Sequence, residues 1–448
     1  MQRYLIGQLA RWKDKPDRKP LILNGARQVG KTWILHEFGK TYFKNTVYVY
    51  CDDKKEDLVH IFDNLSPSHI VQALETYTNS RIVAGETLIV LDEVQEIPRA
   101  LTCLKYFCEQ APEYHIAVAG SLLGLMLHEG TSFPVGKVDM MQLYPFTFIE
   151  FLLALGKEQL VDALQAENEP ILSALHPTLI ELLKQYFFIG GMPEAISKYV
   201  ETQSYISVRR VQEAILKSYL SDFSKHAPKE QIERISMVYR SIPAQLSKEN
   251  KKFTYGVVKE GARAKDFEIA IQWLIDAGLV LPVSRVTKPQ MPLKFYEDFI
   301  AYKLYLSDVG LLGAMNGVSP RAMLLSDKVF TEYKGAFVEN YVLQSLQGLD
   351  LPIFYYSKPQ STQEVDFLVQ FDDMIIPIEA KSGTNLRSQS LNAYRKEQSP
   401  QLAIKTSLLP FKQNEGLINM PIYRVRTWFE NQIKKSQAEL EELNINNL

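Results

Sequence analysis

From Arg18 to about Leu143, short apolar runs of strand length alternate with stretches whose apolar residues recur three and four apart. That alternation predicts a parallel sheet covered by helices on both faces, because the crossover between two parallel strands is long enough to form a helix. The predicted strands run from Pro20 to Leu23, Thr46 to Cys51, Thr87 to Leu91, His115 to Ala119 and Val138 to Leu143. Between about Phe146 and Ser224 the period is helical, as in FIEFLLALGK and LIELLKQYFF, with a break at Gly190, Gly191 and Pro193. From Lys229 to about Asp308 several short helices lead into apolar runs at Leu279 to Ser284 and Lys303 to Leu306, and three helices followed by a β-hairpin would make a winged helix. Beyond Asp308, a helix over roughly Thr331 to Leu346 precedes strands at Ile353 to Tyr356, Glu364 to Gln370 and Met374 to Ala380, then a helix near Ser388 to Lys396. This predicts a separate small α/β unit. The charged tail after about Asn431 is expected to fray.

Composition narrows the setting. A chain of 448 residues with 46% hydrophobic residues can bury several cores, so a multidomain α/β protein is expected rather than a single domain. No run approaches the roughly 18 to 20 apolar residues that span a bilayer, and the N-terminus MQRYLIGQLARWKDK lacks the apolar stretch of a secretory signal, so a cytoplasmic setting without a membrane partner is expected. Cys51, Cys103 and Cys108 form no CxxC pair and no Cys/His cluster, which supports neither a disulfide framework nor a zinc site. The formal net charge of −2 offers no overall basic excess, so nucleic-acid binding would have to rely on a local patch.

The segment GARQVGKT, comprising Gly25, Ala26, Arg27, Gln28, Val29, Gly30, Lys31 and Thr32, fits GxxxxGK[ST] directly after an apolar strand and before a helical run. This is the context that makes the pattern a phosphate-binding P-loop. Its glycines let successive N–H groups and the helix N-terminus face phosphates. Lys31 would reach the β- and γ-phosphates of ATP, and Thr32 would ligate Mg²⁺. The buried run TLIVLDE then delivers Asp92 and Glu93 to the phosphate end of the sheet, Asp92 as the Mg²⁺ partner through water and Glu93 as the base that polarises the attacking water. The strand ending HIAVAGS puts Ser121 either where it could sense the γ-phosphate or at the N-cap of a helix through LLGLML.

With GARQVGKT, TLIVLDEVQ, AGS and LYPFTFIEFL in this order, the chain resembles the prokaryotic AAA-type ATPase family that carries a C-terminal domain of unknown function. The likeness continues through GGMPEAI, SYLSDFSKH, WLIDAGLV, YLSDVGLL and GAFVENYV. It implies ATP binding and hydrolysis, a winged helix of DNA-binding type, a nuclease-like end, and an assembly of copies in which a neighbour contributes an arginine to the γ-phosphate. Arg27, Arg99 and Lys137 are the weakly marked basic candidates for that last role. The expected division is an AAA-type P-loop domain at 1–150, a helical connector at 151–227, a winged-helix-like domain at 228–312, a nuclease-like domain at 313–430 and a tail at 431–448.

In that C-terminal region, EVDFLV and IIPIEAK place Asp366 and the pair Glu379 and Lys381 on consecutive strands. Residues two apart on a strand share a face, so Glu379 and Lys381 point together. If the strands pair antiparallel, Asp366 reaches the same point, giving two carboxylates for a hard divalent cation and a lysine to orient or deprotonate water. This is the PD-(D/E)xK nuclease arrangement, with Asp366, Glu379 and Lys381 as its catalytic group. Glu339, on the preceding helix, matches a further metal-side acid. Gln389 would either align a substrate phosphate or lie on a solvated face.

Lys251, Lys252, Lys259, Arg263 and Lys265 cluster around a possible recognition helix, either for DNA or RNA or, since acidic residues dilute the patch, for protein docking. Two functions follow: an ATPase whose cycle moves a nucleic-acid-binding and cleaving C-terminal half, or an ATP-dependent scaffolding switch whose nuclease-like unit is inactive.

Overall fold

A computed structural model of the chain describes residues 2–52, 55–121, 133–248, 250–321, 334–358, 361, 363–383 and 388–446. These divide into two units, Met1–Tyr144 with Gln272–Leu279, and Pro145–Ile271 with Val280–Leu448.

In the first unit β1 (Leu21–Asn24), β2 (Asn45–Tyr50), β3 (Thr87–Asp92), β4 (His115–Ala119) and β5 (Asp139–Gln142) form a parallel sheet in the order β2-β3-β4-β1-β5. Every residue of β3 and β4 is buried, which is why these strands read as unbroken apolar runs rather than alternating ones. Helices Lys31–Tyr42, Pro67–Thr78 and Pro98–Gln110 bury Ile34, Leu35 and Phe38, Ile70 and Leu74, and Leu101, Leu104 and Phe107 respectively. Because β4 lies between β1 and β3, the carboxyl ends of these three strands open side by side, where the loops carrying polar residues meet.

In the second unit the helices Phe148–Ala154, Glu158–Gln165, Glu169–Ala174, His176–Ile189, Pro193–Thr202 and Tyr205–His226 follow one another as the periodicity predicts. Helices Ile232–Leu246, Tyr255–Val258 and Ala264–Asp276, the last of which crosses into the segment grouped with the first unit, precede a hairpin of β6 (Val280–Val286) and β7 (Glu297–Leu306). Further strands are β8 (Ile353–Ser357), β9 (Glu364–Phe371), β10 (Met374–Ala380), β11 (Ala403–Ser407), β12 (Lys412–Asn414) and β13 (Leu417–Pro421).

The hairpin does not stand apart from the C-terminal strands. Among the described residues one mixed sheet runs β12-β13-β11-β10-β9-β8-β6-β7. The division expected near residue 312 therefore cuts through a sheet rather than a linker. The join is a short parallel pairing of Arg285 and Val286 with Tyr355 and Tyr356, between segments too far apart in sequence for a turn to signal it.

The end of the chain also differs from expectation. Helix Val425–Asn446 runs through the segment expected to fray. Trp428 and Phe429 are buried, Asn431 Nδ2 donates to the Gln165 carbonyl at 2.9 Å, and Arg426 pairs with Glu430 one turn on. The charge that marked this segment as a tail thus belongs to a helix anchored at its first turns, whose residues from Gln437 to Glu442 are all exposed.

Two of the sequence motifs prove to be packing devices. A Cβ on Gly191 would strike the Phe146 carbonyl oxygen, and one on Gly310 would lie 2.6 Å from the Gly190 backbone. Asp308, fully buried, accepts from Gly191 N at 2.5 Å and Leu311 N at 2.9 Å. GGMPEAI and YLSDVGLL are thus two halves of one close backbone crossing.

Candidate functional site

The loop between β1 and helix Lys31–Tyr42 turns back on itself. Gly30 holds φ 95°, a left-handed conformation that side chains resist, and Gln28 shares that region at φ 67°. A Cβ on Gly25 would collide with the Leu143 carbonyl oxygen. Ala26 and Val29 are buried beneath the loop, whereas Arg27 is half-buried and Gln28 exposed. Lys31 is buried and donates to the carbonyls of Gly25 at 2.7 Å and Ala26 at 2.9 Å. Burial lowers its ammonium to about 8, against the opposing pull of Glu93 and Asp92.

Thr32 Oγ1 donates to Asp92 Oδ2 at 2.7 Å, and Asp92 is 2% exposed at the end of β3. Asp92 Oδ1 accepts from the backbone N–H of Glu93, which sits at φ 52°. This turn swings the Glu93 side chain toward β4, where its Oε2 accepts from Gln95 Nε2 at 2.5 Å and Ser121 Oγ at 3.1 Å. Burial alone would raise the Glu93 carboxyl, but the Gln95 hydrogen bond, the Lys31 charge and the bonds from Ser121 hold it below its ordinary value. Ser121 therefore touches the expected base. The alternative N-cap role concerns LLGLML, which lies outside the described residues.

Three further residues belong to this site. Tyr48 on β2 donates its hydroxyl to Asp92 Oδ2 at 2.7 Å, and its ring stacks on His36 with centroids 3.9 Å apart. The Arg3 guanidinium donates to the Val29 carbonyl at 3.2 Å and the Tyr144 carbonyl at 2.6 Å, bracing the loop from behind. Gly278, at φ 70° in the Gln272–Leu279 segment, lies so close that a Cβ on it would come 3.2 Å from Ala26 N. Of these, only Gly278 had a visible trace, as the glycine of WLIDAGLV. Arg99 donates to the carbonyls of Phe62 and Asp63, and Lys137 pairs with Glu109, so both basic groups have partners within the chain.

The carboxylates of the second unit also converge. β9 and β10 pair antiparallel with Ile378 opposite Phe367, and the N–H of Ala380 donates to Asp366 Oδ2 at 2.8 Å. Glu379 Oε1 pairs with Lys381 at 2.6 Å, while its Oε2 is buried and accepts no hydrogen bond. Glu339 comes from helix Lys334–Leu346 and is 2% exposed. The same helix is stitched to β7, since Asn340 exchanges two hydrogen bonds with the backbone of Leu306. Gln389, at the start of helix Gln389–Gln398, is exposed.

Two lysines change the character of this cluster. Lys251 Nζ lies 2.5 Å from Glu339 Oε1, so this residue of the expected basic patch turns inward instead of toward a partner. Lys303, fully buried on β7, lies 2.6 Å from Glu364 Oε1 and 3.7 Å from Glu339 Oε2, which also accepts from the Tyr305 hydroxyl at 2.9 Å. Sequence reasoning passed over Lys303, although a lysine inside the apolar run AYKLYL needs a buried partner. Burial would raise the Glu339 carboxyl, but Lys251 and Lys303 hold it low; burial and the facing charges of Glu339 and Glu379 push Asp366 well above the usual carboxylate range. The expected divalent cation does not fit this arrangement. Among the described residues no three His, Cys, Asp or Glu side chains are gathered to hold a metal, and both oxygens of Glu339 are already engaged.

The first unit thus has a P-loop NTPase-like architecture, with its phosphate loop, acidic pair and Ser121 at the carboxyl ends of the central strands β1, β3 and β4 of a parallel sheet. More narrowly, residues 17–152 match a family described as an AAA domain. Residues 180–322 and 334–425 match two families described as domains of unknown function, DUF8612 and DUF4143. A replication factor C large subunit of Methanosphaera stadtmanae is 36% identical over 87 residues, which are 19% of this chain and 15% of that protein. Among solved structures, a Walker-type ATPase of Pyrococcus abyssi is 14% identical, covering 70% of this chain and 95% of its own, with a TM-score of 0.44. The Orc1 protein of Aeropyrum pernix in complex with DNA is likewise 14% identical, covering 72% and 95%, with a TM-score of 0.28. Among the described residues no helix is long and apolar enough to cross a membrane.

Proposed function

We propose that the chain binds and hydrolyses ATP with Mg²⁺ and couples that cycle to nucleic-acid binding by its second unit. The observation that carries the first part is the continuous polar chain Thr32–Asp92–Glu93–Ser121 beside Lys31. A bound Mg²⁺ would supply neutralisation of phosphate charge, held by Thr32 and Asp92. Thr32 and Asp92 suit it as oxygen donors, already 2.7 Å apart. The backbone of Gly25 to Gly30 cradles the phosphates, and Lys31 exchanges its carbonyl partners for phosphate oxygens. Glu93, anionic and aimed by Gln95 and Ser121, accepts the proton of the attacking water.

The nucleic-acid part rests on the three helices and hairpin at 232–306, which suit a winged helix. Lys259, Arg263 and Lys265 stand exposed there, as do Lys288 and Lys294 on the hairpin. The name of the replication factor that aligns with this chain over 87 residues points to the same setting. One observation favours the second reading for the nuclease-like region: its carboxylates are neutralised by Lys251, Lys303 and Lys381, as in a unit used for docking rather than cutting.

Phosphate release from ATP would be compared for the parent, Lys31→Ala and Glu93→Gln. Lys31→Ala should abolish nucleotide binding, while Glu93→Gln should keep binding and lose about 10²- to 10⁴-fold in rate. Unchanged hydrolysis in Glu93→Gln would sink the assignment of the base. For the second unit, affinity for duplex and single strands should fall steeply between about 50 and 200 mM salt, as counterion release requires. A flat salt response would leave protein docking as the role of this surface.

A further inference from the structure

Helices Tyr205–His226 and Ile232–Leu246 and the end of helix Val309–Met315 pack together in the second unit but leave a gap between them. That gap is a cavity of about 510 Å³, and none of its lining residues belongs to the phosphate loop or to the carboxylate cluster. Cavities of roughly 300 to 1,000 Å³ are the size class of small-molecule sites. Leu216 and Leu220 are one helical turn apart and share a face, and together with Pro243 and Met315 they form an apolar wall that the chain leaves only half-buried. Pro243 stands inside its helix, where it has no N–H for the Tyr239 carbonyl four residues earlier, and adds a rigid apolar ring to that wall.

Two polar groups on the same helix give this apolar space a direction. Tyr239 is 2% exposed and lines the cavity, with its ring edge-on to those of Tyr219 and Phe223. Its hydroxyl meets no hydrogen-bond partner among the described residues, although a phenol this deeply placed ordinarily finds one. Arg240, the next residue, lines the cavity at its exposed rim and forms no ion pair among the described residues. No aspartate or glutamate is among the lining residues, so the cavity carries one uncompensated positive charge beside an unused hydroxyl.

We propose that this cavity binds a small amphipathic carboxylate, with its apolar body against Leu216, Leu220, Pro243 and Met315 and its anionic head on Arg240 and the Tyr239 hydroxyl. This goes beyond nucleotide hydrolysis and nucleic-acid binding, and uses no residue assigned to either. The planar fork of an arginine matches a carboxylate, and a phenol donates to the same head. A partner helix would need a groove long enough for anchors over two turns, whereas the wall here is four side chains around one charge. Such a ligand ties three helices together, one of which starts at the buried Asp308 crossing, and so stabilises this part of the fold by mass action.

Two fluorescent probes that share one aromatic frame test this on the full chain: 8-anilinonaphthalene-1-sulfonate, whose sulfonate stands in for the carboxylate, and the uncharged N-phenyl-1-naphthylamine. Excess ADP and Mg²⁺ keep both from the phosphate loop. Arg240→Gln should weaken the sulfonate probe about tenfold or more, the scale of a hydrogen bond to a charged group, and leave the neutral probe bound as in the parent. Ala244→Trp, at an exposed lining position where folding is not at stake, should fill the cavity and weaken both. Decanoate should displace the sulfonate probe from the parent, and acetate, which lacks the apolar body, should not. A sulfonate affinity untouched by both substitutions, or a probe that decanoate fails to displace, would overturn the proposal. So would a dimer of the parent that Ala244→Trp abolishes while decanoate leaves it intact, since the cavity would then be a face between copies. A measurement free of variants is hydrogen exchange on the parent: decanoate should slow exchange in helices Tyr205–His226 and Ile232–Leu246, and unchanged exchange there would equally overturn the site.

Discussion

The phenol of Tyr48 and the hydroxyl of Thr32 donate to the same oxygen, Oδ2 of Asp92, each across 2.7 Å. Thr32 is positioned by the phosphate loop and Tyr48 by the neighbouring strand, so the carboxylate is held from two sides. If Thr32 were to turn to a metal, Tyr48 would still fix Asp92. Tyr48→Phe should therefore raise the Mg²⁺ concentration for half-maximal ATP hydrolysis by about tenfold or more, the scale of one hydrogen bond to a charged group. Nucleotide affinity without Mg²⁺ should not change. An unaltered Mg²⁺ dependence would show that Thr32 alone suffices.

Lys31 gives the nucleotide site a pH dependence of predictable sign. Its ammonium is lowered to about 8 in the free loop, and an arriving phosphate stabilises the charged form. Affinity should be level below that pH and weaken above it, by up to about tenfold per pH unit. A fluorescent nucleotide titrated at pH 7 and pH 9.5 measures this, with Lys31→Gln as the variant expected to be weak and flat. Equal affinity of the parent at both values would place the proton elsewhere.

Gly278 supports the phosphate loop by having no side chain. In Gly278→Ala the new Cβ would press on Ala26 N, and the left-handed backbone adds roughly 1 kcal/mol of strain. The expected result is a several-fold loss of nucleotide affinity with a melting temperature only slightly lowered. Full affinity would mean that the segment can shift without disturbing the loop.

Asp308 should leave a mark on stability. Burial raises its carboxyl to about 6, above its ordinary 3.8, while the hydrogen bonds from Gly191 and Leu311 pull the other way. The folded chain thus holds a proton between those values that the unfolded chain has released. Its contribution is full below about pH 4 and is lost as pH rises through 6, on the order of 3 kcal/mol at most. Denaturant unfolding of the parent and Asp308→Asn at pH 4.5 and 7 should show the difference between them shrinking at the higher pH. A difference that does not change with pH would assign Asp308 only its packing role.

The nucleotide unit was legible because its signals are local. A glycine pattern, a buried strand ending in two acids, and a polar residue after the next strand each sit within a few residues of the structure they specify. Tyr48 and Arg3 were not legible, since an aromatic in a strand and an arginine before a helix look the same whether or not their tips reach a site. The carboxylates of the second unit could be grouped from strand periodicity, because Asp366 and Glu379 lie on adjacent antiparallel strands. Their neutralisation could not. Lys251 and Lys303 reach Glu339 across 88 and 36 residues of chain, and β6 meets β8 through a parallel pairing that leaves no trace in either segment. The Asn431 region misled for a related reason: its charges are plain in the sequence, and the Gln165 carbonyl that anchors it is not.

The shared sheet has a seam near its outer edge. Phe299 and Ile300, about four-fifths exposed, lie in the stretch of β7 between Asp298 and Tyr302 where the register with β6 shifts. Lys303 and Tyr305, which steady Glu339 Oε2, follow in regular pairing with Val283 and Leu281. The bulge thus separates an apolar tip from the ladder that fixes the charges beneath it.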